Sequence, residues 1–262
     1  MMRENKNTPA EIEEKEMTFL DHLEELRWRI IKILIGIIIG AVICWIFIDF
    51  IVNQILISPV NKINIENPSG PQIRLQNLKP FGQILLYMEI TIIGGVLFSL
   101  PNFFYQLWKF IAPGLLPRER KYISSIVIFS TFCFIAGVLF AYFIMLPLAL
   151  KFFAGFGTAQ IENNIAITEY MSFIISMMLG AGVVFELPMV SWFLAKLGIL
   201  TPKFMRKYRR HAIILILILA AILSPGTDPV SQIILAVPLF LLYEVSIFIA
   251  AVASKKKQKA DE

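Results

Sequence analysis

Residues 19–50 read FLDHLEELRWRIIKILIGIIIGAVICWIFIDF, and the change of character inside this stretch decides the fold. From residue 30 to residue 50 apolar side chains run almost without a break, with Lys32 and Asp49 the charged exceptions. A bilayer core about 30 Å thick takes roughly 20 such residues in helix, so 30–50 reads as a membrane span. The residues before it follow another pattern. Phe19, Leu23, Leu26 and Ile30 recur at three and four residues, one stripe of a helix, while Asp21, Glu25 and Arg29 occupy the other side. That spacing predicts an N-terminal amphipathic helix at the membrane interface, running into the first span. Thr18 stands at its capping position, with Asp21 at the capping-box place.

Working outward, the same apolar signal returns at residues 84–105, 122–146, 170–195 and 233–253, with a shorter run at 212–223. Of the 262 residues 57% are hydrophobic and 16% charged, and the mean hydropathy is +0.72. An ordinary soluble domain is about a quarter charged, so there is too little polar side chain here to coat a water-facing globule. The expected fold class is an all-α membrane protein of six transmembrane helices. Residues 1–16 are expected to be a flexible cytoplasmic N-terminus, 17–253 the six-span membrane domain and 254–262 a basic cytoplasmic tail. The mostly polar residues 1–29 precede the first span and no small-x-small site follows it, so that span is expected to stay in the membrane. The run 212–223 is short for a bilayer and predicts local thinning or shelter against neighbouring helices.

Orientation follows from the basic residues. Of the 24 Lys and Arg, 20 fall in the N-terminal arm, the second-to-third and fourth-to-fifth connections, and the tail; Lys62, Arg74, Lys79 and Lys151 occupy the alternate loops. Basic residues concentrate on the cytoplasmic side, which predicts an N-in, C-in arrangement. The net charge of +5 is thereby a topology signal, with no nucleic-acid partner implied. Cys44 and Cys133 lie in apolar runs without partner spacing, and His22 and His211 are too far apart to suggest a ligand cluster. No metal or cofactor is expected, and the absence of nucleophile-elbow, zincin, P-loop and dinucleotide signatures argues against an enzyme.

Ionisable groups within spans mark function or hold helices together. Glu89, Glu186 and Glu244 lie in apolar runs. For Glu186 and Glu244 a bond to a neighbouring helix and a functional role stand side by side on composition alone. Pro101, Pro188 and Pro238 fall inside spans and Pro147 closes the third, where each is expected to kink or loosen its helix. Gly36 and Gly40 form a GxxxG in the first span, a pattern used in helix dimers.

Three stretches together resemble the TatC family, the multispanning core subunit of the twin-arginine protein translocase. FLDHLEELRWR (19–29) is similar to the family's N-terminal run, FFYQLWKFIAPGLLPRERK (103–121) to its most diagnostic loop, and LSPGTDPVSQIILAVPLFLLYE (223–244) to its last-span signature; FELP (185–188) matches the fourth span. The stretch PFGQILLYME (80–89) is longer than the common form and places Glu89 where many members carry a basic residue, so no role is carried to it. The resemblance implies that Glu25 and Glu119 help receive the twin-arginine signal peptide, with Arg27 and Phe110 as neighbours. It implies that Glu186 lies in a concave polar face, that Gln232 and Glu244 are further intramembrane polar contacts, and that Pro59 and Asp228 matter on the outer side. Implied partners are twin-arginine signal peptides of folded cargo, the small single-span Tat subunits (TatA- and TatB-like) and further copies of the chain, in the lipid bilayer of a bacterial cytoplasmic membrane. The physical reason for two carboxylates is that a guanidinium pairs with carboxylate bidentately and lysine does not reproduce that geometry. Without the resemblance, a local pair of Glu25 with Arg29 is the simpler reading. A proton-coupled small-solute transporter using Glu186 and Glu244 is the rival function; such proteins show internal repeats, which this chain lacks. Reporter fusions at Asn67, Asn163 and Thr227 are expected to read outside, and fusions at Pro117, Lys203 and Lys257 inside; a tail reading outside overturns the six-span arrangement.

Overall fold

A computed structural model describes residues 19–66, 68, 72–112, 120, 123–155, 163–223 and 229–261. Thr18 and the expected flexible segment 1–16 lie outside the described residues. The helices are α1 (Phe19–Ile46), α2 (Ile48–Phe50), α3 (Ser58–Glu66), α4 (Gly82–Phe98), α5 (Leu100–Ile111), α6 (Ile123–Phe140), α7 (Leu146–Gly155), α8 (Ile167–Val184), α9 (Leu187–Leu197), α10 (Pro202–Lys207), α11 (Arg209–Leu223) and α12 (Pro229–Asp261). Two π-helical segments, Ile51–Leu56 and Ala141–Met145, join α2 to α3 and α6 to α7. Strands β1 (Ile73–Gln76) and β2 (Asn163–Ala166) pair in parallel, with Ile73 opposite Asn163 and Gln76 opposite Ala166. This small sheet, absent from the all-helical expectation, ties the chain after α3 to the chain before α8.

The amphipathic arm and the first span form one continuous helix, α1. Four stretches are long and apolar enough to cross a membrane: Leu20–Ile46, Ile123–Gly155, Ile167–Leu197 and Leu235–Ser254. The pair Gly82–Phe98 and Leu100–Ile111, bent by 56°, makes a fifth if counted as one span. Helix α11 has 15 residues, ~22 Å at the α-helical rise, and falls short of spanning length. Length and composition therefore support four to five spans among the described residues where the sequence predicts six.

The prolines act as helix starters more than as kinks. Pro101 and Pro188 each sit in the first turn of a new helix, α5 and α9, where a proline lacks no hydrogen bond. The breaks fall just before them, at Ser99 and at Phe185–Glu186. Pro147 does not close the third span, because the helix continues beyond it as α7 to Gly155. Pro238 alone lies within a helix, α12. That helix runs on to Asp261, so residues 254–261 are helical.

Gly36 and Gly40 are spent inside the chain. A Cβ on Gly40 would stand 2.7 Å from the Gly95 carbonyl oxygen, and one on Gly95 would stand 2.7 Å from the Ile37 carbonyl oxygen. Gly36 faces Ser99 and Asn102. The two backbones of α1 and α4 thus touch directly, as small residues allow between membrane helices. Gly137 of α6 meets Ala181 and Gly182 of α8 in the same way. The main core gathers Val52, Leu56 and Val60, the α7 residues Leu146 and Leu150, and Met171, Ile174 and Met177 of α8. Over this core the end bearing α3 and the strands is closed by hydrogen bonds to freed backbone. Tyr142 donates to the Ile55 carbonyl at 2.7 Å and Tyr170 to the Leu56 carbonyl at 2.8 Å, while Asn64 pairs with both the N–H and the C=O of Ile73 at 2.9 Å.

Gly95→Ala is expected to destabilise the protein by about 2 kcal/mol, since neither backbone neighbour can yield. Gly155→Ala, with nothing within 4 Å of the new methyl, is the matched control. Thermal unfolding in detergent reads the difference; equal melting temperatures for both variants contradict the close α1–α4 contact.

Candidate recognition site between helices α1 and α5

The first turns of α1 carry His22, Glu25, Arg29 and Lys32 at helical spacing, and α5 carries Asn102, Gln106 and Phe110 four residues apart. Such positions line one face of each helix. The two faces meet. His22 stacks on Phe110 with ring centroids 4.4 Å apart and planes 18° from parallel. Arg29 donates from Nε to Glu25 Oε1 at 3.1 Å, and its Nη2 makes a second, closer contact to the same oxygen. Its Nη1 donates to Gln106 Oε1 at 3.4 Å. Gln106 Nε2 donates to Asn102 Oδ1 at 3.3 Å, and Asn102 Nδ2 to the Lys32 carbonyl at 3.0 Å.

The face of α1 that bears His22, Glu25 and Arg29 is therefore a helix–helix contact, while Asp21, Leu23, Arg27 and Ile30 are exposed. Arg29 keeps only 9% of its surface, a guanidinium tolerated there because its donors reach Glu25 and Gln106. Glu25 is partly buried, and the two oxygens of its carboxylate differ. Oε1 receives both Arg29 donors; Oε2 is buried and has no hydrogen-bond partner among the described residues. His22 Nδ1 lies 4.0 Å from Oε2, beyond hydrogen-bonding range.

The other expected site residues are dispersed. Arg27 is exposed on α1. Glu119 and Asp228 lie outside the described residues. Pro59 is buried in the first turn of α3. Gln232 donates to the Leu217 carbonyl at 2.9 Å and Glu244 pairs with Arg209 at 2.6 Å, so both tie α12 to α11. Glu186 sits in the break between α8 and α9; its Oε1 and Ser130 Oγ on α6 are buried and neither makes a well-formed hydrogen bond among the described residues, although the two side chains interact. Sequence reasoning missed His22, Asn102 and Gln106; the i, i+4, i+8 spacing of Asn102, Gln106 and Phe110 was the available signal.

Four stretches of helix long and apolar enough to cross a membrane, five with the bent pair, make this a helical membrane protein. Residues 21–238 match the family described as Sec-independent protein translocase protein (TatC). The chain belongs to the TatC family, a membrane protein-transport family. It is 38% identical to the Sec-independent protein translocase protein TatC of Carboxydothermus hydrogenoformans, over 94% of this chain and 98% of that protein. It is 35% identical to the Aquifex aeolicus protein of the same name, over 93% and 98%. Among solved structures, one titled Crystal Structure of Twin Arginine Translocase Receptor- TatC superposes with a TM-score of 0.78 at 35% identity, covering 89% of this chain and 99% of that one.

Because Glu186 Oε1 makes no well-formed hydrogen bond among the described residues, Glu186→Gln is expected to leave stability within about 1 kcal/mol of the parent or to raise it. Thermal unfolding in detergent checks this; a loss well beyond that range points to a bond holding the bundle together.

Proposed function

We propose that this chain is the receptor subunit of a twin-arginine translocase, and that Glu25 with Glu119 binds the paired arginines of signal peptides on folded cargo. The observation that carries the reading is the Glu25 carboxylate. It stands near the N-terminal end of α1 beside the His22–Phe110 stack, with one oxygen bonded and the other without a hydrogen-bond partner among the described residues. Phe110, next to it, offers an apolar surface to residues that follow the arginine pair. The solved relative is described as a twin-arginine translocase receptor, which supports the same assignment, and family membership disfavours the small-solute transporter. In this reading the chain crosses a bacterial cytoplasmic membrane six times with both termini inside. The bent pair α4–α5 is one crossing and the short α11 another, the latter in a thinned bilayer. Glu186 contacts a partner helix from a concave face, Gln232 and Glu244 are further intramembrane polar contacts, Pro59 and Asp228 act on the outer side, and the small single-span Tat subunits and further copies of the chain are the partners.

Each charge-assisted contact contributes about 1.5–3 kcal/mol, so Glu25→Ala or Glu119→Ala is expected to weaken binding of an Arg-Arg signal peptide roughly tenfold or more. Affinity is measured on purified protein in detergent. Undiminished Arg-Arg binding by the double variant removes these residues from the recognition site.

A further inference from the structure

We propose that Arg29, Gln106 and Asn102 form a positioning relay that holds the Glu25 carboxylate in one plane, presents Oε2 to the ligand, and thereby sets the discrimination between arginine and lysine. The inference rests on the reading of Glu25 as a recognition residue.

The terminal torsion of a glutamate is broad and roughly two-fold, so a carboxylate held by one donor swings. Here Arg29 brings two nitrogens to the same oxygen, Oε1, and the rigid guanidinium fork carries its own orientation into the carboxylate. Arg29 is fixed in turn. Its remaining terminal nitrogen reaches Gln106, Gln106 is oriented by Asn102, and Asn102 is anchored on the Lys32 carbonyl. The relay begins and ends on α1 and crosses to α5 between, so a main-chain atom of a rigid helix is its fixed point. Its product is an asymmetric carboxylate with Oε1 engaged and Oε2 buried, its acceptor capacity unused among the described residues.

That asymmetry matters differently to the two cations. An ammonium is a compact point charge with three rotatable donors and follows a carboxylate that moves. A guanidinium is planar, its donors point in fixed directions, and it gains its full bond only when the acceptor lies in its plane. A swinging Glu25 would bind both cations comparably, whereas a fixed Glu25 rewards the planar one. Supporting groups that lock a binding side chain in this way are a general requirement of precise sites.

The test measures affinities of purified full-length protein for two synthetic signal peptides, one Arg-Arg and one Lys-Lys, in the parent and in Glu25→Gln, Arg29→Lys, Gln106→Leu and Asn102→Leu. Gln106→Leu and Arg29→Lys are expected to weaken the Arg-Arg peptide about tenfold while changing the Lys-Lys peptide by less than about twofold, so that the ratio shrinks. If Gln106→Leu does not give a monodisperse protein, Asn102→Leu, one link further from Glu25, carries the same expectation with a smaller shift. A ratio unchanged in the relay variants but lost in Glu25→Gln overturns the relay and leaves the recognition reading standing. Both peptides weakened equally in the relay variants makes these residues structural only and also overturns it. A ratio unchanged in Glu25→Gln removes the recognition reading itself.

Discussion

A backbone carbonyl or amide freed from its helix inside a membrane has no water to turn to, and every departure from regular helix must be answered from within the chain. This protein departs from regular helix repeatedly and answers in different ways. The π-helical segment Ile51–Leu56 releases carbonyls that Tyr142 and Tyr170 recover with their hydroxyls. The breaks at Ser99 and Glu186 are each followed at once by a proline in the first turn of the next helix, which has no N–H to satisfy. Asn64 holds both polar groups of Ile73 where the strand begins. The tyrosines and asparagine that look incidental in an apolar sequence are the side chains that make the irregular backbone tolerable.

What was legible in the sequence was what depends on residues near one another along the chain. Apolar runs gave the long helices, because burial in lipid asks only for length and composition. The resemblance carried by Phe19–Arg29, residues 103–121 and the last span gave the family. What was illegible depended on distant partners. The pair β1 and β2 joins residues 90 positions apart, Ile73 with Asn163, and neither strand is long enough to show a period. Pro147 does not end its helix: it follows a π-helical turn, Ala141–Met145, and sits in the first turn of the segment that runs on to Gly155, a placement that composition alone does not reveal. The GxxxG of Gly36 and Gly40 was read as a contact between chains, and its partner surface on α4, Gly95, could only be found once the two helices were laid together.

The site shows the same division. Glu25 and Phe110 were reached through a resemblance, and Glu25 with Arg29 was also visible as a local helix pair. That local pair and the recognition role stood as rivals in the sequence, yet the geometry lets both hold, because Arg29 uses one carboxylate oxygen and leaves the other. His22 is too far from His211 in sequence to suggest a ligand cluster; its partner is a phenylalanine ring on another helix. Gln106 falls inside the quoted stretch 103–121 and Asn102 just before it, but what they do is visible only in the order in which they touch.

Helix α1 lies across the 56° bend between α4 and α5 and is fastened to both arms by different means. Against α4 it is joined by bare backbone at Gly40 and Gly95; against α5 it is joined by a ladder of polar side chains that begins at Lys32 and ends at His22. It is a splint over an elbow. The elbow is thus strapped twice, once by a glycine contact with no room for even a methyl group and once by a row of side-chain hydrogen bonds; opening or closing the angle between the two arms requires that both be broken or reshaped together.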